Sequence, residues 1–166
     1  FDDPFRRIDE KRESARSLLP KTRALARESG RKAIVLLKNE GDLLPLPRSG
    51  KKIALIGPFA SGQHDLVGPW VVYGDDAKAI DLATGVRSAL ADKNGVIAAQ
   101  GSGVEEPLPG GIEQAVAAAR QADIIVLAIG EHAGMSGEAQ SRTEILVPEP
   151  QQALAEGGAD AQALLG

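Results

Sequence analysis

One polar loop, residues 130–143, combines two carboxylates, a histidine and an arginine: Glu131, Glu138, His132 and Arg142. Carboxylate and imidazole side chains can act as general acids and bases when they are held near a substrate. The loop directly follows the apolar run 124–129, which predicts a buried strand. In open α/β sheets, ligands bind beyond the carboxyl ends of the strands. The loop is therefore the first candidate for a functional site.

The elements that must position this loop alternate between strands and helices. Short apolar runs predict strands at 53–56, 96–99 and 124–129, and helical patterns occupy 77–93, 110–123 and the segment that starts at Pro148. This alternation predicts an α/β fold, a three-layer αβα sandwich with a mainly parallel sheet. Gly157-Gly158 interrupts the last helical pattern and no further strand follows. We therefore expect a sandwich that is incomplete at its C-terminal end.

The first 50 residues have a different character. Residues 11–19 and 21–29 favour two helices, the second starting at Pro20 and ending before Gly30. The apolar run 33–38 is too short for its periodicity to distinguish a continued helix from a strand.

Composition limits the possible functions. The 166 residues correspond to about one domain. A net charge of −4 gives no overall attraction to nucleic acid or to an anionic membrane, and the absence of Cys excludes disulfides and thiolate metal sites. His64 and His132 have no metal-ligand spacing, so we expect no metal. The chain opens without Met and without a signal-peptide pattern, which suggests that it derives from something longer.

Several motifs occur in an order that points to one family. They are Phe-Asp-Asp-Pro-Phe at residues 1–5, Ile-Val-Leu-Leu-Lys-Asn at 34–39, Leu-Leu-Pro-Leu at 43–46, Ile-Ala-Leu-Ile-Gly-Pro at 53–58, Gly-Pro-Trp at 68–70 and Gly-Glu-Ala-Gln-Ser-Arg at 137–142. With them the sequence resembles the second domain of family 3 glycoside hydrolases, and most closely the periplasmic-type bacterial β-glucosidases.

The resemblance implies a two-part enzyme that needs no cofactor. A (β/α)8-type barrel supplies an aspartate nucleophile, and the following sandwich domain supplies a glutamate as general acid/base, here Glu138. Residues 1–50 then form an interdomain linker with helices that lead into the domain, and 51–166 form part of the sandwich. The expected substrate is a β-glucoside or oligosaccharide, and the parent protein is expected to be periplasmic or secreted. Without the barrel, the isolated chain is predicted to be inactive.

Glu138 suits one of the two roles in retaining glycoside hydrolysis. That mechanism needs two carboxyl groups about 5–5.5 Å apart, one as nucleophile and the other as acid and then base. The alternative is that Glu138 is an ordinary solvated loop glutamate.

The other candidates have alternative roles as well. Glu131 and His132 could bind substrate or brace the loop, and Met135 could shape the site entrance. Trp70 and Tyr73 could stack on a sugar, although a Trp in the place of Trp70 is more often a packing residue, and Tyr73 is the better placed of the two if the loop is exposed. Arg142 is expected to pair with a carboxylate and support the loop. A different class of function also stays open, namely a non-catalytic α/β module that binds a sugar or a protein partner.

Overall fold

Two units, Phe1–Leu46 and Pro47–Gly166, make up the chain. The structure is a computed structural model that describes residues 5–6 and 9–163, with side chains to residue 158. No helix in this described part is long and apolar enough to cross a membrane.

The first unit contains two helices, α1 (Glu10–Arg16) and α2 (Pro20–Ala33). The Asp9 carboxylate caps α1 by accepting from the backbone N–H groups of Lys11 and Arg12. The predicted end of α2 before Gly30 is wrong, because Gly30 is a solvent-exposed position that the helix passes through. Residues 34–39 form neither of the two expected elements: they have no regular structure, and Leu37 is 92% exposed.

The second unit is built on a parallel three-stranded sheet. Its strands are β1 (Ile53–Ile56), β2 (Val96–Ala99) and β3 (Ile124–Leu127), in the order β2-β1-β3. Ile53 pairs with Val96 of β2 on one side and with Ile124 of β3 on the other, so the first residues of all three strands lie in register. The parallel α/β prediction is confirmed, and β3 ends two residues earlier than expected.

Helices cover both faces of this sheet. They are α3 (Leu82–Ala89), α4 (Gly111–Ala119) and α5 (Glu149–Ala163). Ala54 and Ile56 pack with Ala115, Ala118, Ala119 and Leu154 of α4 and α5 in the main core cluster. Side chains alternate along a strand, so Ile53 and Leu55 point to the other face of the sheet, where they are also fully buried. Helix α3 contacts β2.

Several helix boundaries differ from the prediction: α3 and α4 are shorter than expected and end at Ala89 and Ala119. Two of the differences have a local reason. Helix α3 starts at Leu82, because the Asp81 carboxylate caps it by accepting from Thr84 N at 2.7 Å. Helix α5 continues through Gly157-Gly158 instead of ending there. A Cβ on Gly157 would lie 3.2 Å from Ile112 Cγ2, so this glycine lets α4 and α5 approach closely rather than breaking the helix.

Candidate functional site

The carboxyl ends of the three strands meet at one edge of the sheet, and two long connections leave from it. We call residues 130–143 the β3 loop and residues 62–79 the β1 segment. At their origin Gly57 has φ +132°, and a Cβ there would lie 2.2 Å from the Ala128 carbonyl oxygen. That oxygen accepts from Phe59 N at 3.2 Å. Glycine is therefore required where the connections after β1 and β3 begin.

The base of the β3 loop is held by a buried glutamine from α5. Gln151 is fully buried, and its Oε1 accepts from Gly130 N at 2.8 Å. Its Nε2 donates to Gly130 O at 2.9 Å and to Val104 O at 2.8 Å. One amide thus joins the residues that follow β2 and β3. The sequence analysis missed Gln151; the available signal was an amide three residues before Leu154, on the core-facing side of a helix.

The first half of the β3 loop is fixed by His132. Its Nδ1 accepts from Gly134 N at 2.9 Å, so the ring carries its proton on Nε2, which lies 2.8 Å from Glu105 Oε2. The next residue, Ala133, donates its N–H to Asp65 Oδ1 of the β1 segment at 2.9 Å. The contacts of His132 therefore brace the loop.

Glu131 and Arg142 close the β3 loop into a ring. Arg142 Nη1 donates to Glu131 Oε1, and Arg142 Nη2 donates to Leu146 O at 3.0 Å. The Arg142 side chain is only 25% exposed, whereas that of Glu131 is 49% exposed. A guanidinium can make both bonds at once because its donors are fixed in a plane. Glu131 is therefore engaged within the loop itself.

Glu138 lies at the tip of this ring and has a free carboxylate. Gln140 N donates to Gly137 O at 3.4 Å, which forms a turn with Glu138 inside it. The residue is exposed, and it makes no hydrogen bond or ion pair with the other described residues. A cleft of about 430 Å³ lies beside it, lined by the β3 loop and by Gly68, Pro69 and Trp70. Of the two loop glutamates, Glu138 is the one available to a ligand in this cleft.

The other predicted site residues, Trp70, Tyr73 and Met135, lie in three different environments. Trp70 is 68% exposed and lines the cleft with Glu138. Tyr73 is 99% exposed and is not part of the cleft lining. Met135 is buried and faces a second cleft, of about 440 Å³, together with Arg142. The structure therefore brings only Trp70 and the β3 loop together around Glu138.

Two side chains in and beside the β1 segment have pKa values shifted from their ordinary values. Asp76 Oδ2 lies 2.8 Å from His64 Nδ1, and this hydrogen bond raises the pKa of His64. The hydrogen bond from Thr84 lowers the pKa of Asp81, which also accepts from Gly62 N. Within the described residues, no group of three or more His, Asp or Glu side chains is arranged to hold a metal ion.

The family is defined by the match along the chain. Residues 34–163 match the glycosyl hydrolase family 3 C-terminal domain. The chain therefore belongs to glycosyl hydrolase family 3, and the match covers most of the chain.

Individual relatives agree with this assignment. The chain is 34% identical to the periplasmic β-glucosidase of Salmonella typhimurium over 93% of its own length and 23% of the relative. It is 36% identical to the exo-1,4-β-xylosidase xlnD of Emericella nidulans over 75% of its length. The solved β-glucosidase of Listeria innocua in complex with glucose superposes with a TM-score of 0.82 at 34% identity, covering 97% of this chain and 21% of that one. The chain thus spans about a quarter or less of these glycosidases.

Proposed function

We propose that this chain is part of a retaining β-glucosidase in which Glu138 is the general acid/base. The observation that carries the proposal is the free carboxylate of Glu138 beside a cleft that Trp70 also lines. Membership of a glycosidase family supports it, as do relatives named β-glucosidase over nearly the whole chain. Relatives named exo-1,4-β-xylosidase also match the chain, so family membership does not by itself distinguish glucose from xylose as the sugar.

The proposed reaction has two steps that share one carboxyl group. In the first, an aspartate from the barrel domain attacks the anomeric carbon while protonated Glu138 gives its proton to the departing oxygen. In the second, the Glu138 carboxylate takes a proton from water while the water oxygen attacks the anomeric carbon and the bond to the aspartate breaks, which releases the sugar and restores the aspartate. The two carboxyl groups then lie about 5–5.5 Å apart across the scissile bond.

The proposal assigns the nucleophile to a domain outside this chain. Residues 1–50 would link that barrel to the sandwich, and the 166-residue chain alone would not hydrolyse glucosides. By similarity to the periplasmic relative, the parent protein would act in the periplasm or outside the cell. Hydrolysis of an aryl β-glucoside by the purified chain alone would contradict this assignment.

The test is Glu138→Gln in the full-length protein, assayed on two kinds of substrate. Cellobiose has a poor leaving group that must be protonated, whereas 2,4-dinitrophenyl β-glucoside has a leaving group that departs without a proton. We expect kcat/KM on cellobiose to fall about 10²–10⁴-fold, the usual contribution of general acid catalysis. Formation of the glycosyl-enzyme from the dinitrophenyl substrate should change little.

A matched control separates this role from a general effect of removing a charge. Glu144→Gln alters another exposed glutamate, which lines the second cleft instead. It should leave cellobiose hydrolysis within about 2-fold of the unaltered enzyme, as for ordinary surface substitutions. Unchanged cellobiose hydrolysis in Glu138→Gln would remove Glu138 from the role.

A further inference from the structure

Gln151 occupies an unusual place for an amide side chain. It lies on α5, outside the β3 loop, and it is fully buried at the carboxyl edge of the sheet. All three of its hydrogen bonds go to backbone groups at that edge: Gly130 N, Gly130 O and Val104 O. A buried amide with apolar neighbours is stabilising only when its donors and acceptors are paired. These bonds therefore fix where the amide and its partners lie relative to each other.

The residue that Gln151 holds is the first residue of the β3 loop. Gly130 has φ +154°, a conformation that side-chain-bearing residues rarely adopt. Because glycine has no Cβ, its backbone can rotate unless something restrains it. Gln151 binds both the N–H and the carbonyl of Gly130. Gln151 therefore restrains the direction in which the loop leaves β3, and it is one of the three anchors of the loop.

The ring geometry of the loop carries this restraint to its tip. Glu131 follows Gly130 directly and pairs with Arg142 at the far end of the loop. Glu138 lies between these two closing residues, in the turn that starts at Gly137. A rotation at Gly130 would therefore displace the Glu131–Arg142 closure and, through it, the turn that carries the Glu138 carboxylate. The contacts of His132 and Ala133 limit this displacement but do not hold Gly130 itself.

From this arrangement we infer that Gln151 is a positioning residue for the acid/base carboxyl of Glu138. The inference rests on the proposed function of Glu138 and extends it to a residue on a different element. Gln151 touches neither substrate nor the reacting atoms. Its effect is to hold the loop in the orientation from which Glu138 reaches the departing oxygen. Displacements of about 1 Å at a catalytic group are enough to lower rates by about 10²-fold.

The experiment compares Gln151→Leu with unaltered full-length enzyme on cellobiose and on 2,4-dinitrophenyl β-glucoside. Leucine fills similar space but makes none of the three hydrogen bonds. We expect kcat/KM on cellobiose to fall at least about 10-fold more than the rate of glycosyl-enzyme formation from the activated substrate, since only cellobiose needs the proton of a well-placed acid. Both substrates are assayed on the same preparation, so the ratio does not depend on the fraction of enzyme that is folded.

A second variant covers the case in which Gln151→Leu yields no soluble protein. Gln151→Met keeps the length and approximate volume of the side chain, adapts to the space left by the amide, and loses the three hydrogen bonds. It should shift the substrate ratio in the same direction by a similar factor.

Two controls on the same helix distinguish positioning from loss of stability. Gln152 is the next residue, is exposed, and donates its Nε2 to Val147 O at 2.6 Å, so Gln152→Leu removes an amide that does not hold Gly130. Leu154 is 1% exposed in the core, so Leu154→Ala weakens packing without removing a bond to the loop. Both should leave the substrate ratio unchanged, even where Leu154→Ala lowers Tm.

The outcomes separate the two proposals. If Glu138→Gln and Gln151→Leu both affect cellobiose selectively, the inference is supported. If Glu138→Gln is selective and the Gln151 variants lower both substrates equally, Gln151 only stabilises the fold and the inference is overturned while the proposed function stands. If Glu138→Gln itself shows no selectivity, the proposed function fails, and the role of Gln151 fails with it.

Discussion

The two connections at the carboxyl edge of the sheet are both closed into rings, but they are anchored differently. The β3 loop is joined to α5 through Gln151, to the segment after β2 through Glu105, and to the β1 segment through Asp65. The β1 segment is closed at its own base, where Gln63 donates to Ala79 O at 2.6 Å and His64 meets Asp76.

Their tips differ in chemistry as well. The tip of the β3 loop presents a carboxylate, whereas the tip of the β1 segment presents apolar side chains, with Val72 82% and Tyr73 99% exposed. The proposed role of Glu138 requires a carboxyl group held close to its working geometry, and the three anchors of the β3 loop restrain the loop that carries it. A surface that contacts a ligand or another domain by its apolar area has no such need for exact placement.

The largest expected effect comes from breaking the junction between the two connections. Gly57→Ala would place a Cβ 2.2 Å from the Ala128 carbonyl oxygen at φ +132°. We expect it to lower the free energy of unfolding by more than about 3 kcal/mol, because a steric overlap adds to the backbone strain of about 1–3 kcal/mol. Urea denaturation, or loss of soluble yield, would measure this.

Gly62→Ala is the matched control for that change. Gly62 has φ +116°, but nothing lies within 4 Å of the added Cβ, so only the backbone strain of about 1–3 kcal/mol applies. Equal effects of the two substitutions would show that the close approach of Gly57 to Ala128 is not what joins the connections.

A smaller effect should separate the two aromatic residues of the β1 segment. Trp70 lines the cleft beside Glu138, whereas Tyr73 is exposed to solvent and is not part of the cleft lining. We expect Trp70→Ala to raise KM for an aryl β-glucoside about 2–10-fold, the loss of about 0.5–1.5 kcal/mol of ring contact. Tyr73→Ala should leave KM unchanged. A larger effect from Tyr73 would place the substrate against the tip of the segment instead of in the cleft.

The smallest effect should be the pH dependence of the His64–Asp76 contact. Hydrogen bonding to Asp76 raises the pKa of His64 above its ordinary 6.5, so the contact stabilises the fold fully below that value. The stabilisation is lost as pH rises through the folded-state pKa. Asp76→Asn should therefore lower Tm slightly at about pH 5.5 and not at about pH 9. A Tm difference that is the same at both pH values would contradict this account.

The sheet was predictable from the sequence because its three strands are continuous apolar runs bounded by polar or glycine residues. The rule that loops at the carboxyl ends of parallel strands carry ligand sites singled out residues 130–143. The choice of Glu138 within that loop came from the family resemblance. Two glycine interpretations failed. Gly30 lies in an exposed helix position where the missing side chain has no structural consequence, and Gly157 permits close helix packing instead of ending α5.

The supporting contacts of the site could not be predicted in the same way. Asp65, Glu105 and Gln151 each come from a different element, far along the chain from the residues they hold. No local pattern links them, since the sheet topology alone brings them to one edge. The different roles of Glu131 and Glu138 could not be read from the sequence either, because only the folded loop shows which of the two carboxylates pairs with Arg142.

Rescue of Glu138→Ala with azide is the sharpest test of whether the free carboxylate of the β3 loop acts as the acid/base. In a retaining enzyme the glycosyl-enzyme intermediate of this variant lacks the base that activates water, and azide can attack without one. On 2,4-dinitrophenyl β-glucoside, the account predicts that added azide restores turnover and yields β-glucosyl azide. It also predicts that Glu131→Ala forms no such product. Failure of azide to accelerate Glu138→Ala, or rescue of Glu131→Ala instead, would contradict the account.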